Sequence, residues 1–214
     1  MISAIAPSPA STDDRQADVA SIPARMNPWA SQLRHVASVI RRGGVVAYPT
    51  ASCYGLGCDP RNRRAVERIL RLKNRPVWKG LIVIGASRRQ LLSYTDPRAL
   101  TDSVSALIDS SWPGPVSLIL PAGRRCPPWV RGRHTGIALR DDAHPPARAL
   151  CKAAGMAIVS TSANPAGFQA ARTATQVRRY FGKKVDAILR APIGRQRKPS
   201  RIIDVQSGRT LRPG

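Results

Sequence analysis

Three short segments of this chain combine cationic, hydroxyl and amide side chains in spacings that suit the binding of anions. Lys73 and Arg75 are separated by one residue, and Pro76 favours an extended conformation for Arg75. A fixed guanidinium beside an ammonium suits the capture of a phosphate or carboxylate. The alternative interpretation is a solvated helix end, where cations are already favourable with the helix dipole.

The second segment, Ser-Thr-Ser-Ala-Asn at 160–164, directly follows an apolar run. Its hydroxyls, amide and backbone N–H groups can cradle the oxygens of a phosphate or carboxylate. A serine nucleophile would also need a base and an orienting group, and the sequence lacks the Gly-x-Ser-x-Gly elbow. We therefore predict a binding role for this segment rather than nucleophilic catalysis.

The third segment, 48–57, reads Tyr-Pro-Thr-Ala-Ser-Cys-Tyr-Gly-Leu-Gly. It is predicted to be a loop at a strand end, where small residues let a ligand approach the backbone closely. An ordinary glycine-rich turn is the alternative. Two further candidates, Arg140 and Ser200, lie beside short apolar runs, and each is a weak signal by itself.

Apolar periodicity indicates the elements that position these segments. Leu33, Val36, Ala37 and Ile40 form one helical stripe, with Ser31 as the predicted cap. Further helices are predicted near 62–73, 99–110, 145–155 and, from a capping-box signature, 173–181. Strands are predicted at 45–48, 81–84, 116–120, 137–139, 157–161, 187–189 and 202–205.

This mixture predicts an α/β fold, a sheet of both strand directions with helices on its faces. Residues 28–214 are predicted to form the folded domain. Residues 1–27, rich in Ala, Ser, Pro and Asp without a period, are predicted to be a disordered or loosely attached extension.

Composition adds a strong charge bias. The chain has 35 Lys plus Arg against 12 Asp plus Glu, a formal net charge of +23. Such a charge attracts polyanions such as nucleic acid, although an Arg-biased proteome would have the same composition. The 5% aromatic content argues against a stacking platform for single strands.

Other residue classes exclude several kinds of protein. No two of the four cysteines have CxxC spacing, so a zinc site is not predicted. We predict instead that the cysteines are reduced thiols in a cytoplasmic protein. No apolar run approaches 18 residues, so no membrane span is expected.

In their order along the chain, these segments resemble the YrdC/TsaC family, the threonylcarbamoyl-AMP synthases. The resemblance covers about residues 30–214 and suits the short bacterial form. The matching blocks are YPT…YGLG at 48–57, K-x-R-P at 73–76, WPGPV at 112–116, the stretch 140–145, STSAN at 160–164, P-S-x-I-x-D at 199–204 and the terminal R-P-G. The resemblance implies a YrdC-like twisted mixed sheet flanked by helices, with a basic concave groove.

The resemblance also implies a reaction. L-threonine, bicarbonate and ATP would give threonylcarbamoyl-AMP and diphosphate, with Mg²⁺ accompanying the ATP and no metal cluster held by the protein. Partner proteins would then transfer the threonylcarbamoyl group to tRNA beside the anticodon.

Site residues follow by the same resemblance. The implied catalytic residues are Lys73, Arg75, Ser162 and Asn164. ATP would be bound by those four together with Lys79 and Arg212. Threonine would be bound by Thr50, Ser52, Arg140, Ser160 and Ser200.

The sequence departs from the family at two places. Thr50-Ala51-Ser52 replaces the usual Thr-Glu-Thr, which removes a carboxylate, and Lys79-Gly80-Leu81 replaces Asn-Pro-Leu or Lys-Pro-Leu. Two other functions are weighed against the enzyme. One is a non-catalytic module that binds double-stranded RNA or tRNA. The other is the carbamoyl-transfer domain of hydrogenase-maturation proteins, which are much longer and carry cysteine motifs missing here.

Overall fold

The computed structural model describes residues 29–214, so the extension predicted for residues 1–27 lies outside the described residues. Within this range the helices are α1 (Ala30–Arg41), α2 (Arg63–Lys73), α3 (Arg88–Leu92), α4 (Asp102–Ser111), α5 (Pro128–Arg131), α6 (Pro145–Ala154) and α7 (Ala174–Phe181). The strands are β1 (Val46–Pro49), β2 (Tyr54–Gly57), β3 (Ile82–Gly85), β4 (Val116–Pro121), β5 (Gly136–Asp141), β6 (Ile158–Ser162), β7 (Ala187–Ile188), β8 (Arg201–Asp204) and β9 (Thr210–Arg212).

The strands form one sheet in the order β7-β1-β2-β6-β3-β5-β4-β8-β9. Three neighbouring pairs are parallel, namely β1 with β7, β3 with β5, and β4 with β8, and the other pairs are antiparallel. The predicted sheet of both strand directions, with helices on its faces, is therefore confirmed.

One face of the sheet is fully covered by helices. Apolar side chains of the central strands, including Val83, Leu118 and Leu139, are buried there against α2, α4, α5 and α7. The amphipathic pattern of α2 explains its place, because Val66 and Ile69 are buried while its arginines point outward. This layer is the larger part of the core.

The other face is covered only in part. Here α1 and α6 bury Tyr48, Ile84 and Ile158 in a second, smaller cluster. Ile82 pairs with Ala138 and with Ser160, so the three side chains share this face beyond the edge of the two helices. The uncovered part of the sheet forms an open cleft, whose lining combines isoleucines such as Ile82 with small, polar and charged residues.

Side-chain hydrogen bonds fix the starts of two helices, and those of α7 confirm the predicted capping box. The Asn62 side chain caps α2 by accepting from the Ala65 N–H at 3.0 Å. The capping box of α7 has both of its bonds, from Gln176 N–H to Thr173 Oγ1 and from Thr173 N–H to Gln176 Oε1. Pro145 occupies the first turn of α6, and Gly155 ends that helix with φ +72°.

Other expectations were wrong in detail. Ser31 lies inside α1, whose N-cap is Trp29. The helix predicted from 99 begins at Asp102, since the Thr101 hydroxyl caps it. The largest difference concerns 54–57, predicted as loop but buried as strand β2. Gly57 makes this possible, because a Cβ there would lie 2.7 Å from the Tyr48 ring.

Among the described residues, no helix combines the length and apolar character that crossing a membrane requires.

Candidate functional site

The open part of the sheet is a cleft of about 860 Å³. Its lining comes from the ends of β1, β2 and β6, from the face of β3, β4 and β5, and from the C-terminal strands. All eleven residues predicted for the site line it: Thr50, Ser52, Lys73, Arg75, Lys79, Arg140, Ser160, Ser162, Asn164, Ser200 and Arg212. The structure thus brings together residues as far apart in sequence as Thr50 and Arg212, while their individual roles stay predictions.

Lys73 is the last residue of α2 and reaches the segment after β6. Asn74 adopts a left-handed conformation (φ 48°, ψ 45°), which ends the helix beneath the cleft. Lys73 Nζ donates to Ser162 O at 2.5 Å and to Asn164 O at 2.8 Å. An ammonium has three N–H donors, and the third has only long contacts, to Asn164 Oδ1 at 3.4 Å and Ser162 Oγ at 3.5 Å, which a ligand oxygen can replace.

The Lys73 residue is only 6% exposed. Burial, with a smaller contribution from the nearby Arg75 charge, lowers the pKa of Lys73 to about 8. A buried cation of this kind gains much from a bound anion, because the anion replaces the lost solvation. Lys73 is therefore suited to contact a phosphate rather than to lie on a solvated helix end.

Asn164 shapes the loop that holds Lys73. Its Nδ2 donates to Pro165 O and Phe168 O, at 3.0 and 2.8 Å, and its Oδ1 accepts from Lys73 at 3.4 Å. Both amide hydrogens are therefore used within the loop. In this arrangement Asn164 orients Lys73 rather than offering a donor to the cleft.

Arg75 fastens the loop that follows it. Its Nε and Nη2 donate to Gly80 O at 3.2 and 2.9 Å, and Nη2 also contacts Lys79 O at 3.3 Å. Burial lowers the pKa of Arg75. The two Nη1 hydrogens remain for a ligand. Arg75 therefore holds the loop with Nε and Nη2 and offers Nη1 to the cleft.

This loop crosses the segment between α5 and β5 at two glycines. A Cβ on Gly80 would lie 2.8 Å from Arg131 O, and one on Gly132 would lie 2.5 Å from Trp78 O. Both glycines also have positive φ, +63° and +67°. The crossing brings Lys79, Arg131 and Arg133 to one rim of the cleft.

The turn between β1 and β2 forms the opposite wall. Thr50 closes it, because its N–H and its hydroxyl both donate to Cys53 O at 2.8 Å. Ser52 O accepts from Arg172 Nη1 at 3.0 Å, while the Ser52 hydroxyl lies 3.8 Å from Cys53 Sγ. Thr50 therefore maintains the turn, and the Ser52 hydroxyl is the more available of the two for a ligand.

Ser160 lies on the floor of the cleft and is 6% exposed. The hydroxyl of the fully buried Tyr48 donates to the carbonyl oxygen of the preceding residue, Val159 O, at 3.5 Å. Burial keeps the pKa of Tyr48 well above its usual value, so this phenol stays a neutral hydrogen-bonding group.

Ser200 is a hub between two guanidinium groups. Arg140 Nη1 and Arg212 Nη2 donate to its Oγ at 2.8 and 3.0 Å. Because these bonds occupy both lone pairs, the Ser200 hydroxyl must donate its own hydrogen to Ser117 Oγ, 3.1 Å away. Arg212 Nε also donates to Ser200 O at 2.9 Å, which fixes strand β9 beside the cleft.

The cleft is strongly cationic. Burial lowers the pKa of Arg212, and the charges of Arg140 and Arg75 lower it further. Within residues 29–214, the carboxylate paired with this group of cations is Asp142, which binds Arg140. Four cations converge here, Lys73, Arg75, Arg140 and Arg212, so the cleft favours anionic ligands.

Sequence reasoning missed several residues of this cleft. Arg131, Arg133 and His134 line its rim, and Asp142 lies behind Arg140. The signal for the rim was the Arg-Gly-Arg-His run just before β5, a charged and flexible stretch beside an apolar strand. Asp142 had no comparable signal, since its role depends on the side-chain direction of Arg140.

No group of three or more His, Cys, Asp or Glu side chains that suits a metal occurs in the described part of the chain. The carboxylate that lines the cleft directly is Asp204, and it accepts from Gln206 N–H and from the Ser207 hydroxyl. The donor set of the cleft therefore suits anions better than a bare cation.

An open mixed sheet with a cationic cleft of this size defines an α/β protein that binds anionic small molecules. The family model of Sua5, YciO and YrdC, described as "Telomere recombination", matches residues 38–214. The chain belongs to this family, and the resemblance inferred from the sequence is confirmed.

Relatives support the same placement. The chain is 50% identical to a threonylcarbamoyl-AMP synthase of Marinobacter nauticus over 187 residues, which are 87% of this chain and 97% of that relative. It is 50% identical to one of Halorhodospira halophila over 181 residues, 85% of this chain and 94% of the relative.

Among solved structures, P. abyssi Sua5 complexed with L-threonine is similar, with a TM-score of 0.80 and 32% identity. The match covers 86% of this chain but only 54% of the Sua5 chain.

Proposed function

We propose that this chain is a threonylcarbamoyl-AMP synthase, a nucleotidyltransferase that makes L-threonylcarbamoyladenylate and diphosphate from L-threonine, bicarbonate and ATP. The observation that carries the proposal is the convergence of all eleven predicted residues on one cationic cleft. The two relatives at 50% identity carry this name over nearly their whole lengths. The similar Sua5 structure holds L-threonine.

The proposed chemistry has two steps. The threonine amine attacks bicarbonate, and loss of water leaves a carbamate. A carbamate oxygen then attacks the α-phosphorus of ATP, the bond to the bridging oxygen breaks, and diphosphate leaves. Neither step needs a protein nucleophile, so positioning and charge neutralisation supply the catalysis.

The cleft provides one wall for each substrate. Arg140, with its guanidinium fixed by Ser200, is proposed to bind the threonine carboxylate, while Ser160 and Ser52 contact the rest of that substrate. Lys73 and Arg75 neutralise the reacting phosphate and the carbamate, and Ser162 lies beside Lys73 Nζ at 3.5 Å. Arg212 and Lys79 extend the cationic surface along the nucleotide.

Mg²⁺ is proposed to enter with ATP. Hard cations prefer oxygen ligands, and the nucleotide phosphates supply them where the protein offers hydroxyls and guanidiniums. Asp204 is the carboxylate that lines the cleft, and a carboxylate oxygen is a ligand that magnesium accepts. The metal would add charge neutralisation at the phosphates.

The test is pyrophosphate release by the purified full-length chain. We expect release only when L-threonine, bicarbonate and Mg-ATP are all present, with a threonylcarbamoyladenylate product detected by mass spectrometry. Omission of threonine, or removal of bicarbonate by degassing, is the matched control. Release that ignores threonine, or no release at all, contradicts the proposal.

We also propose that the chain contacts RNA at the rim of the same cleft. Lys79, Arg131 and Arg133 lie there beside the half-exposed indole of Trp78, on a chain of net charge +23. Phosphate contacts by such cations bind nucleic acid without sequence preference. A purely RNA-binding module would not need the buried Lys73 and Ser200 arrangements, so the enzyme is favoured and RNA binding is an added property.

RNA binding by this rim predicts a salt-dependent affinity for tRNA. Replacement of Arg131 and Arg133 by alanine is expected to weaken tRNA binding about tenfold or more and to flatten its salt dependence. Arg88→Ala is the control, because Arg88 pairs with Asp109 away from the cleft. Equal weakening in both proteins would reject the rim as the RNA site.

Transfer of the threonylcarbamoyl group to tRNA is proposed to need further proteins, because the described cleft fits two small substrates. A reaction that uses ATP and serves tRNA modification is proposed to take place in the cytoplasm, where the four cysteines would stay reduced.

A further inference from the structure

Asp142 is a buried carboxylate directly behind the proposed threonine site. It follows β5, is 2% exposed, and makes three hydrogen bonds. Its Oδ2 accepts from Arg140 Nε and Nη2 at 3.1 and 2.6 Å, and its Oδ1 accepts from His144 N–H at 2.9 Å. Asp142 therefore links the start of α6 to the guanidinium that faces the cleft.

The contacts with Asp142 and Ser200 leave two N–H groups of Arg140 available for a ligand. A guanidinium has five N–H groups, two of which bind Asp142 and one of which binds Ser200. One hydrogen on Nη1 and one on Nη2 remain, and such a pair matches the two oxygens of a carboxylate. The side chain is held from two directions, so these donors have a fixed orientation.

We propose that Asp142 is a positioning residue that orients Arg140 for the carboxylate of the amino-acid substrate. This inference rests on the proposed function and deepens it. Asp142 touches no substrate itself. It acts by holding the Nε edge of Arg140, so that the opposite end of the guanidinium points into the cleft before the substrate arrives.

An aspartate is required because each Asp142 oxygen receives hydrogen bonds. An asparagine has one accepting oxygen and one donating NH₂ group. If its oxygen faced Arg140, its NH₂ would face the His144 N–H. If its oxygen faced His144, its NH₂ would meet the guanidinium hydrogens. Either orientation sets two donors against each other, so Asp142→Asn loosens Arg140 at nearly constant volume.

The neighbouring carboxylate gives a matched control. Asp141 is also buried, at 4% exposure, and its Oδ1 pairs with Arg148 Nη1 of α6. Arg140 is not a partner of Asp141 in the described structure. Asp141→Asn therefore removes a buried ion pair one residue away without releasing the guanidinium in the cleft.

The experiment compares binding of L-threonine and L-threoninamide, which lacks the carboxylate, to the full-length chain by calorimetry. The wild type is expected to prefer L-threonine. Asp142→Asn is expected to lower the affinity for L-threonine by about 10- to 100-fold and to leave the affinity for L-threoninamide nearly unchanged, so the preference for L-threonine disappears. The KM for ATP at saturating threonine should stay within about twofold. Asp141→Asn should keep the preference for L-threonine.

Two further variants test whether the effect of Asp142→Asn comes from a general loss of folding. Asp142→Glu restores a carboxylate and should recover part of the preference. Adding Asp142→Asn to Arg140→Ala should change threonine affinity no further, because the two residues act as one unit. A parallel loss of both ligands in Asp142→Asn, or an additive double variant, overturns the positioning role. Absence of threonine binding in the wild type would instead reject the proposed function.

Discussion

Replacement of Lys73 by alanine is expected to lower threonine-dependent pyrophosphate release by about 10²–10³-fold. The reason is that Lys73 Nζ is a buried cation held by Ser162 O and Asn164 O, and its third donor has only long contacts that the reacting phosphate can replace. Removing it deletes this charge and also leaves two carbonyls without their donor. Lys73→Met, which keeps the volume of the side chain, should be impaired to a similar extent.

Lys152→Ala is the control, because Lys152 is an exposed lysine of α6 outside the cleft. A second readout uses pH. The pKa of Lys73 is about 8, so the cation is present below pH 8 and is lost as the pH rises through that value. ATP stays fully ionised there, so wild-type ATP affinity should fall from about pH 8 upward. The Lys73→Met profile should lack this fall, and near-normal turnover in Lys73→Ala would exclude Lys73 from the reaction.

Replacement of Arg75 by lysine is expected to lower the same activity by about 10²-fold, although the charge is kept. Arg75 binds Gly80 O and Lys79 O with one edge of its guanidinium and presents the other edge to the cleft. A lysine ammonium cannot do both, because it is a single point of charge without the planar fork. We therefore expect a loss of turnover together with a looser 76–80 loop.

The loosening is measured by hydrogen exchange of the amides of 77–80, which should lose protection in Arg75→Lys. Arg71→Lys is the matched control, since Arg71 lies on the exposed side of α2, one turn earlier. Normal turnover with unchanged exchange in Arg75→Lys would show that the fork geometry of Arg75 is unimportant.

Local sequence signals predicted most of the scaffold because they depend on neighbouring residues. The apolar stripe of α1 and the Thr173–Gln176 capping box both depend on residues within one helix. Strand β2 was not predictable in this way. Glycines in a strand are unfavourable by propensity, and Gly57 is needed because the Tyr48 ring of β1 and Val159 O of β6 both pack closely on it.

The candidate site shows the same division. Lys73, Arg75 and the 160–164 segment were predictable because their spacing and the ordered family motifs point to them. The contacts that join the predicted residues Arg140, Ser200 and Arg212 were not predictable, because Arg140 of β5, Ser117 of β4 and Arg212 of β9 meet through sheet pairing between distant strands. The role of Asp142 was not predictable either, because it depends on the side-chain direction of Arg140.

The gathering of Lys73, Arg75, Arg140 and Arg212 in one cleft, where Asp142 pairs with Arg140, makes the requirements of function and of stability conflict. Like charges that the fold holds together oppose folding until an anion arrives. A search for heat-resistant variants that selects on folding alone would therefore favour neutral side chains in this cleft. Such variants would unfold at higher temperatures but would lose the reaction. The clustered cations of the cleft are therefore destabilising residues that catalysis requires.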